Sequence, residues 1–178
     1  DIFIEASTDK TTLCNFTNHS YFNLDGTKNI ANHNLIVNCD NVLPVDTNGI
    51  PSSKPVSTKE LDLDFKKSRK LNDNDKPTEI DHNFCISNIR QSLRANAIVS
   101  AKNISLELMS TEPGLQIYTG KGLDSGNDEG WGKFPYKEFA GIALEPQIWP
   151  DSPNQSGFPS PYLRPHERYK HHTRIKFN

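Results

Sequence analysis

The sequence has few cysteines, one methionine and no long run of apolar residues. Its three cysteines, at positions 14, 39 and 85, include no Cys-x-x-Cys pair. An odd, unpatterned set argues against a disulfide framework and against a thiolate zinc site, and it favours a reducing, cytoplasmic compartment. No stretch approaches the roughly 18 apolar residues that a membrane span needs, and the first residues lack the basic and apolar regions of a signal peptide. The sequence therefore predicts no membrane association.

The sequence also lacks a large excess of positive or negative charge. The net charge is −2 and the isoelectric point is about 6.3. The sequence has no basic stripe that would indicate nucleic acid as a partner, and it has no acidic tail that would indicate disorder. The 178 residues, 34% of them hydrophobic, suffice for one domain with a buried core.

Helical periodicity is absent, whereas alternation of apolar and polar residues is common. Alternation favours half-buried strands at residues 104–108, 61–65 and 175–177, and a short apolar stripe favours another at 35–37. Residues 95–101 form a hairpin with the 104–108 strand across Lys102-Asn103. Short strands separated by turn signals predict an antiparallel sandwich or barrel with little helix.

Three polar segments are predicted to lie outside the core. Residues 66–78 are charged and nearly free of apolar side chains, which favours a mobile loop. Residues 124–133 are acidic and rich in glycine, which favours a second exposed loop. The histidines at 166, 171 and 172 fall in a charged closing segment and are predicted to be solvated.

Four motifs occur in a fixed order along the chain. They are residues 15–24 (NFTNHSYFNL), 81–84 (DHNF), 112–120 (EPGLQIYTG) and 144–147 (LEPQ), the last followed by Trp-Pro-Asp at 149–151. From about residue 13 to residue 177 the chain resembles the aldose 1-epimerase (galactose mutarotase) family. The resemblance implies a galactose mutarotase-like β-sandwich with a sugar site in a cleft on one sheet. It also implies a monosaccharide substrate such as galactose or glucose, with no metal and no cofactor.

The resemblance also implies that the sandwich is incomplete at its N-terminus. Family members carry a longer N-terminal half, in which an Asn-Arg pair and a His-Gly-Gly motif contribute to the sugar site, and neither motif occurs in this sequence. Residues 1–178 are therefore expected to be the C-terminal portion of a single aldose 1-epimerase domain. A missing N-terminal half of the same domain is then a candidate partner.

Two residues match the proton-transfer groups of the family. Mutarotation needs a base that takes the proton of the anomeric hydroxyl and an acid that protonates the ring oxygen. The resemblance implies that Glu145 is the base and His19 the acid, on opposite sides of a space the size of one pyranose. Without the motifs, the residue types alone favour a solvent-facing strand residue at Glu145 and a turn residue that caps a strand end at His19. Pro146 predicts that the strand has an edge position or a bulge here.

Three further residues are implied to bind the substrate. Asp81 matches a residue that accepts hydrogen bonds from sugar hydroxyls, although an Asx turn is an alternative. Gln116 is a polar residue between two apolar ones and suits a hydroxyl, or it simply faces outward. Tyr21 offers an aromatic surface for a sugar, or it packs in the core. Trp131 and Trp149 are further candidates for the wall of the cleft.

Two other functions compete with the epimerase reading. Two histidines and a carboxylate, drawn from His19, Asp81, His82 and Glu145, could form a metal site. However, adjacent strand residues point to opposite faces, so Asp81 and His82 would not share one. The second alternative is a catalytically weak or non-catalytic carbohydrate-binding remnant of the family, because half of the family's site is absent from the sequence.

Overall fold

The protein consists almost entirely of short strands. The computed structural model describes residues 1–52, 54–73 and 76–178. Within them the strands are β1 (Ile2–Ala6), β2 (Thr12–Leu13), β3 (Tyr21–Phe22), β4 (Asn34–Val37), β5 (Asn41–Val42), β6 (Val56–Ser57), β7 (Arg69–Lys70), β8 (Asn72–Asp73), β9 (Lys76–Pro77), β10 (Asp81–Cys85), β11 (Arg94–Ala101), β12 (Ile104–Ser110), β13 (Gly114–Tyr118), β14 (Ile142–Gln147), β15 (Tyr162–Leu163) and β16 (Tyr169–Phe177). One 3-10 turn spans Ser152–Asn154.

The strands form two six-stranded antiparallel sheets. The first has the order β1-β16-β12-β11-β4-β7 and the second the order β3-β14-β13-β10-β5-β6. Two small two-stranded sheets, β15-β2 and β8-β9, lie outside these two large sheets. The described residues contain no helix that is long and apolar enough to cross a membrane.

One core fills the space between the two sheets. Its fully buried side chains come from both layers: Leu35, Val37, Val99, Leu106 and Leu108 from the first sheet, and Val42, Phe84, Leu115, Ile117 and Ile142 from the second. Because each strand turns alternate residues toward the core, the other residues lie on the two outer faces. The prediction of an antiparallel β-sandwich is confirmed.

Alternation predicted most strands correctly and one incorrectly. The 95–108 hairpin forms as β11 and β12, with a register shift between Ala95 and Ala97, and the last strand is longer than predicted. The strand predicted at 61–65 is wrong. That segment turns, with Asp62 in the left-handed region at φ 54°. Leu63 and Phe65 are still buried, so the alternation reflected burial without strand pairing.

The loop predicted at 66–78 is more ordered than expected. It contains β7, β8 and β9, and Leu71 in its middle is fully buried. Asn74 and Asp75 lie outside the described residues. Residues 124–133 form the mostly exposed loop that their composition predicted.

A buried ion pair lies at the end of the second sheet, just before β13. Arg90 Nε and Nη2 donate to the two carboxylate oxygens of Glu112 at 2.6 and 3.1 Å. The Glu112 side chain is fully buried, whereas that of Arg90 is 33% exposed. Arg94 adds a hydrogen bond of 3.0 Å to the Glu112 carbonyl oxygen. A pair with this geometry is sensitive to the loss of one partner, because the other charge then stays partly buried.

Replacing Glu112 by alanine is expected to destabilise the protein by about 3 kcal/mol, near the lower end of the range for broken buried pairs, since Arg90 retains some access to water. Urea unfolding followed by circular dichroism measures this. Glu167→Ala is the matched control. It removes an exposed carboxylate whose pair with Arg164 spans 3.7 Å, and it should cost at most about 1 kcal/mol. Equal losses in both variants would contradict the structural role of Glu112.

Candidate active site

The outer face of the second sheet collects polar and aromatic residues from all four motifs. Antiparallel register places residues from neighbouring strands side by side in rows across this face. One row consists of Asn83 on β10, Gln116 on β13 and Glu145 on β14, and the next consists of Asp81, Tyr118, Ala143 and Tyr21. Residues far apart in sequence therefore lie on one surface.

Glu145 lies near the middle of this surface and is only 7% exposed. Its neighbours Leu144 and Pro146 point to the opposite side, where Leu144 joins the core. β3 pairs with β14 only at Ile142 and Ala143. Pro146 therefore lies beyond β3, at an edge position of the kind that its missing N–H predicts.

His19 contacts Glu145 directly. Its Nε2 lies 3.3 Å from Glu145 Oε1, and its side chain is 51% exposed. The expectation that a pyranose-sized space separates the two groups is wrong for this structure. His19 belongs to the loop between β2 and β3, and from there its ring reaches the carboxylate, which attracts a protonated imidazole.

The surroundings of Glu145 change its acidity in opposing ways. Burial raises the pKa of its carboxyl group, because a low-dielectric environment disfavours the ionised form. His19 lowers this pKa, and the nearby Asp81 raises it again. The result is a carboxyl group with a pKa above the ordinary value, as a proton acceptor near neutral pH requires.

Asp81 and Gln116 form a pair of hydrogen-bonding groups on the same face. Gln116 Nε2 donates to Asp81 Oδ1 at 2.7 Å. Gln116 Oε1 is buried and has no hydrogen-bond partner among the described residues. One of the two amide N–H donors is used in this bond, and the unpartnered oxygen of Gln116 is an acceptor, as is the Asp81 carboxylate. Both groups therefore suit a ligand that donates hydroxyl protons.

Tyr21 stands beside His19 and is 41% exposed. The two ring centroids are 5.1 Å apart, and the Tyr118 ring meets Tyr21 edge-on at 6.2 Å. Burial raises the pKa of Tyr21, and the negative groups Glu145 and Asp81 raise it further. Tyr21 therefore stays a neutral phenol that offers a ring face and a hydroxyl.

The two tryptophans have different surroundings. Trp149 is buried, and its Nε1 donates to the Pro113 carbonyl oxygen at 3.1 Å. A side chain on Gly114 would collide with Asn83 Oδ1 and lie 2.8 Å from Trp149 Cδ1, so the Trp149 ring packs beside Asn83 on the face that Gln116 shares. Trp131 is 97% exposed and borders a cavity of about 690 Å³ that Tyr21 also lines.

The metal reading finds no support in the geometry of the described residues. No group of three or more histidine, cysteine or acidic side chains among them is placed to hold an ion. His82 is half-buried and points away from the face that carries Asp81. Burial lowers the pKa of His82, which favours a neutral ring with a packing role.

The prediction for the C-terminal histidines is wrong in part. His166 is exposed as expected, but His171 is only 3% exposed. His172 is half-buried, and its Nε2 lies 2.7 Å from an Asp1 carboxylate oxygen. β16 alternates its side chains between the sheet's two faces, so neighbouring charged residues said little about the burial of His171.

Sequence reasoning missed Asn83 and Tyr118 on the candidate face. Both follow the alternation that was applied to other residues: Asn83 lies two positions after Asp81, and Tyr118 two positions after Gln116. Asn83 is 1% exposed, and its Oδ1 is buried without a partner in the described part of the chain. The face therefore has a second unpaired amide oxygen next to Gln116.

Comparison with known proteins agrees with the fold and the motifs. The family model for aldose 1-epimerase matches residues 1–176. The chain is 38% identical to mouse galactose mutarotase and 35% identical to Escherichia coli aldose 1-epimerase, in alignments that include 97% and 99% of it but only 52% and 54% of those proteins. Thus the chain spans about half the length of the curated relatives it matches.

Solved structures show the same relationship. The aldose epimerase homologue of C. elegans superposes with a TM-score of 0.88 at 26% identity, over 99% of this chain and 55% of that one. Galactose 1-epimerase from Lactobacillus acidophilus superposes with a TM-score of 0.80 at 27% identity, over 99% and 52% of the two chains. The sandwich, the ordered motifs and the family match together establish that this chain belongs to the aldose 1-epimerase family.

Proposed function

We propose that the protein interconverts the α and β anomers of a free hexose such as galactose or glucose. The observation that carries this proposal is the contact of 3.3 Å between Glu145 and His19, on a face that also presents Asp81 and Gln116. A carboxylate and an imidazole that can exchange protons with one small molecule are what ring opening requires. The names of the curated relatives support the same reaction.

Glu145 and His19 divide the chemistry between them. Glu145 takes the proton from the anomeric hydroxyl, while protonated His19 gives its proton to the ring oxygen as the C1–O5 bond breaks. The open-chain aldehyde then rotates about C1–C2. When the ring closes, His19 recovers its proton from the attacking hydroxyl and Glu145 returns its proton to the new anomeric oxygen. Each proton that one of these two residues takes up or gives away is returned by the end of the cycle, so no further reactant is needed.

A sugar has to separate the two catalytic groups before they can act on it. In the structure they contact each other, so C1 and O5 can reach both only if His19 moves. His19 is the more mobile candidate because it lies in a loop and is half-exposed, whereas Glu145 is buried on β14. Binding therefore replaces the ion pair by one hydrogen bond from each group to the sugar.

The acceptors beside Glu145 are proposed to orient the sugar. Asp81 and the free amide oxygen of Gln116 accept hydrogen bonds from its hydroxyl groups, and the buried Asn83 oxygen lies next in the same row. Tyr21 provides a ring against which the C–H groups of a pyranose pack. The strand register supports this proposed orientation of the sugar, because it places these residues on one face of the second sheet.

We also propose that residues 1–178 are the C-terminal portion of one aldose 1-epimerase domain, and that an N-terminal half completes its sugar site. The alignments support this, because nearly all of the chain corresponds to about half of each relative. The exposed side of the site supports it as well: β3, at the edge of the sheet, has only two residues, and Tyr21 and His19 are open to solvent. The free thiols of Cys14, Cys39 and Cys85 are consistent with a cytoplasmic location.

Glu145→Gln keeps the shape of the side chain and removes its basicity, so it should lower kcat by about 10²–10⁴-fold. His19→Asn should lower it by a similar factor because the ring oxygen loses its proton donor. Polarimetry of freshly dissolved α-D-galactose measures both, with an N-terminal half of the domain supplied so that the site is complete. Glu107→Gln, on β12 of the other sheet, is the matched control and should keep the wild-type rate. Undiminished mutarotation in Glu145→Gln would refute the proposed mechanism.

The pH dependence should reflect the raised pKa of Glu145. The base works only when ionised, so kcat/KM should fall as pH decreases through a value above the ordinary 4.5 of a glutamate. In His19→Asn the remaining activity should fall at a higher pH than in the wild type, because the group that lowers this pKa is gone. Rate measurements from about pH 4 to 8, corrected for spontaneous mutarotation, test the direction. A shift to lower pH would contradict the assignment.

This chain alone should be a poor catalyst, because a site that holds the sugar loosely loses rate steeply. Adding the N-terminal half of Escherichia coli aldose 1-epimerase as a separate fragment should raise the rate, and the same fragment without this chain serves as the control. Galactose binding without turnover would favour the carbohydrate-binding alternative. If the chain alone already has the rate of a complete relative, the proposal of an incomplete site fails.

A further inference from the structure

The segment that leads into the His19 loop is fixed at three consecutive residues. The Cys14 N–H donates to the Pro161 carbonyl oxygen at 2.8 Å. The Asn15 side chain makes two bonds to Ile148, donating to its carbonyl oxygen at 3.2 Å and accepting from its N–H at 2.8 Å. The amide of Asn15 thus takes the place of a neighbouring strand just after β14.

The third fixed residue is Phe16, whose peptide groups are held by β16. The Phe16 N–H donates to the Tyr169 hydroxyl, and this hydroxyl donates to the Phe16 carbonyl oxygen, each at 3.3 Å. His171 Nδ1 lies 3.1 Å from the same carbonyl oxygen. Because a carbonyl only accepts, Nδ1 must carry the proton. Burial lowers the pKa of His171, and Nε2 of the neutral ring then accepts from the Thr173 hydroxyl at 2.7 Å.

Tyr169 is itself held in place from behind. The Arg90 guanidinium lies over its ring, 4.3 Å from the centroid, and Arg90 is fixed by its two bonds to buried Glu112. The Phe16 ring meets the Tyr169 ring edge-on at 5.7 Å. The hydroxyl of Tyr169 therefore has a defined position relative to the sandwich, and so has the peptide that it binds.

Beyond Phe16 the chain has little other support before β3 begins. In the described structure, the hydrogen bonds of residues 17–20 lie within their own segment, such as that from the Ser20 N–H to Asn18 Oδ1 at 3.2 Å. His19 adds its contact with Glu145 and a ring contact with Tyr21, the first residue of β3. Four residues between two fixed points cannot absorb a shift of one end without moving. Displacement of Phe16 is thus passed on to His19.

We infer that Tyr169 and His171 are positioning residues for the general acid, which they hold at Glu145 by binding the Phe16 peptide. The inference rests on the role proposed for His19, and it assigns a function to two residues outside the sugar-binding face. Tyr169 and His171 act through the backbone and exchange no proton with the sugar.

Tyr169→Phe is the first test, since it removes the hydroxyl and keeps the ring under Arg90. Loss of both bonds to Phe16 should lower kcat for α-D-galactose by about 10–100-fold, the effect of misplacing a catalytic group by about 1 Å. KM should change little, because the acceptors that bind the sugar are untouched. Tyr162→Phe, at a tyrosine that is 46% exposed, makes the same chemical change as a control and should leave both constants unchanged.

His171 allows a test by a conservative replacement. Asparagine places an amide donor close to the position of Nδ1, so His171→Asn should retain most of the rate, whereas His171→Leu, which has no donor, should lose it as Tyr169→Phe does. A role in packing alone predicts the reverse order, because leucine is the better apolar replacement in a buried site. That reverse order would overturn the inference.

A measurement on the free protein separates this inference from the proposed reaction. The carboxyl carbon of Glu145 is titrated by NMR in the wild type, Tyr169→Phe and His19→Asn. If Tyr169 positions His19, the pKa of Glu145 in Tyr169→Phe should rise toward its value in His19→Asn; Asp81, the other charge that faces Glu145, is unchanged in all three. Identical titration in the wild type and Tyr169→Phe would overturn the inference. A wild type that stays inactive when an N-terminal half is supplied would instead overturn the proposed function, and the titration would still decide where His19 lies.

Discussion

The register of β10, β13 and β14 is the constraint on which the candidate site depends. Side chains alternate along each strand, so a slip of one residue would turn Glu145 toward the core and Leu144 toward the outer face. The core prevents this slip, because Phe84, Leu115 and Leu144 would then face outward and several charged or amide groups inward. Apolar packing on one face therefore fixes the polar arrangement on the other.

The same constraint explains why one carboxyl group has an unusual environment. Glu145 lies on a central strand, flanked by Gln116 and backed by the sandwich, and its burial disfavours the ionised form. His19 offsets this effect from a loop, and Asp81 opposes it. The base proposed at Glu145 depends on a proposed acid, His19, whose loop is attached to the fold by a few hydrogen bonds. The position of this loop is therefore as important to the proposal as the strand register.

Most strands of the sandwich could be predicted from the sequence, but only part of the candidate site could. Alternation gave the pairing of β11 with β12 and the face shared by Ala143 and Glu145, because both follow directly from the geometry of a strand. It failed at residues 61–65, where Leu63 and Phe65 are buried from a turning chain and no partner strand runs alongside. Alternation thus reports which side chains are buried, and pairing depends on neighbours that are remote in sequence.

The residues that hold the His19 loop in place show the same limit of prediction from sequence. Tyr169, His171 and Thr173 alternate along β16, and this pattern predicts a shared face; what it leaves open is the group that they meet there. Phe16 is 153 residues away from Tyr169, and neither residue's neighbours indicate the contact. Charged residues next to His171 suggested exposure, yet on a strand adjacent residues face opposite ways, so their charge describes the other surface. The folded sandwich brings the last strand next to the chain that precedes β3. Only through this contact do residues of an ordinary alternating strand come to support His19, the residue proposed to donate a proton.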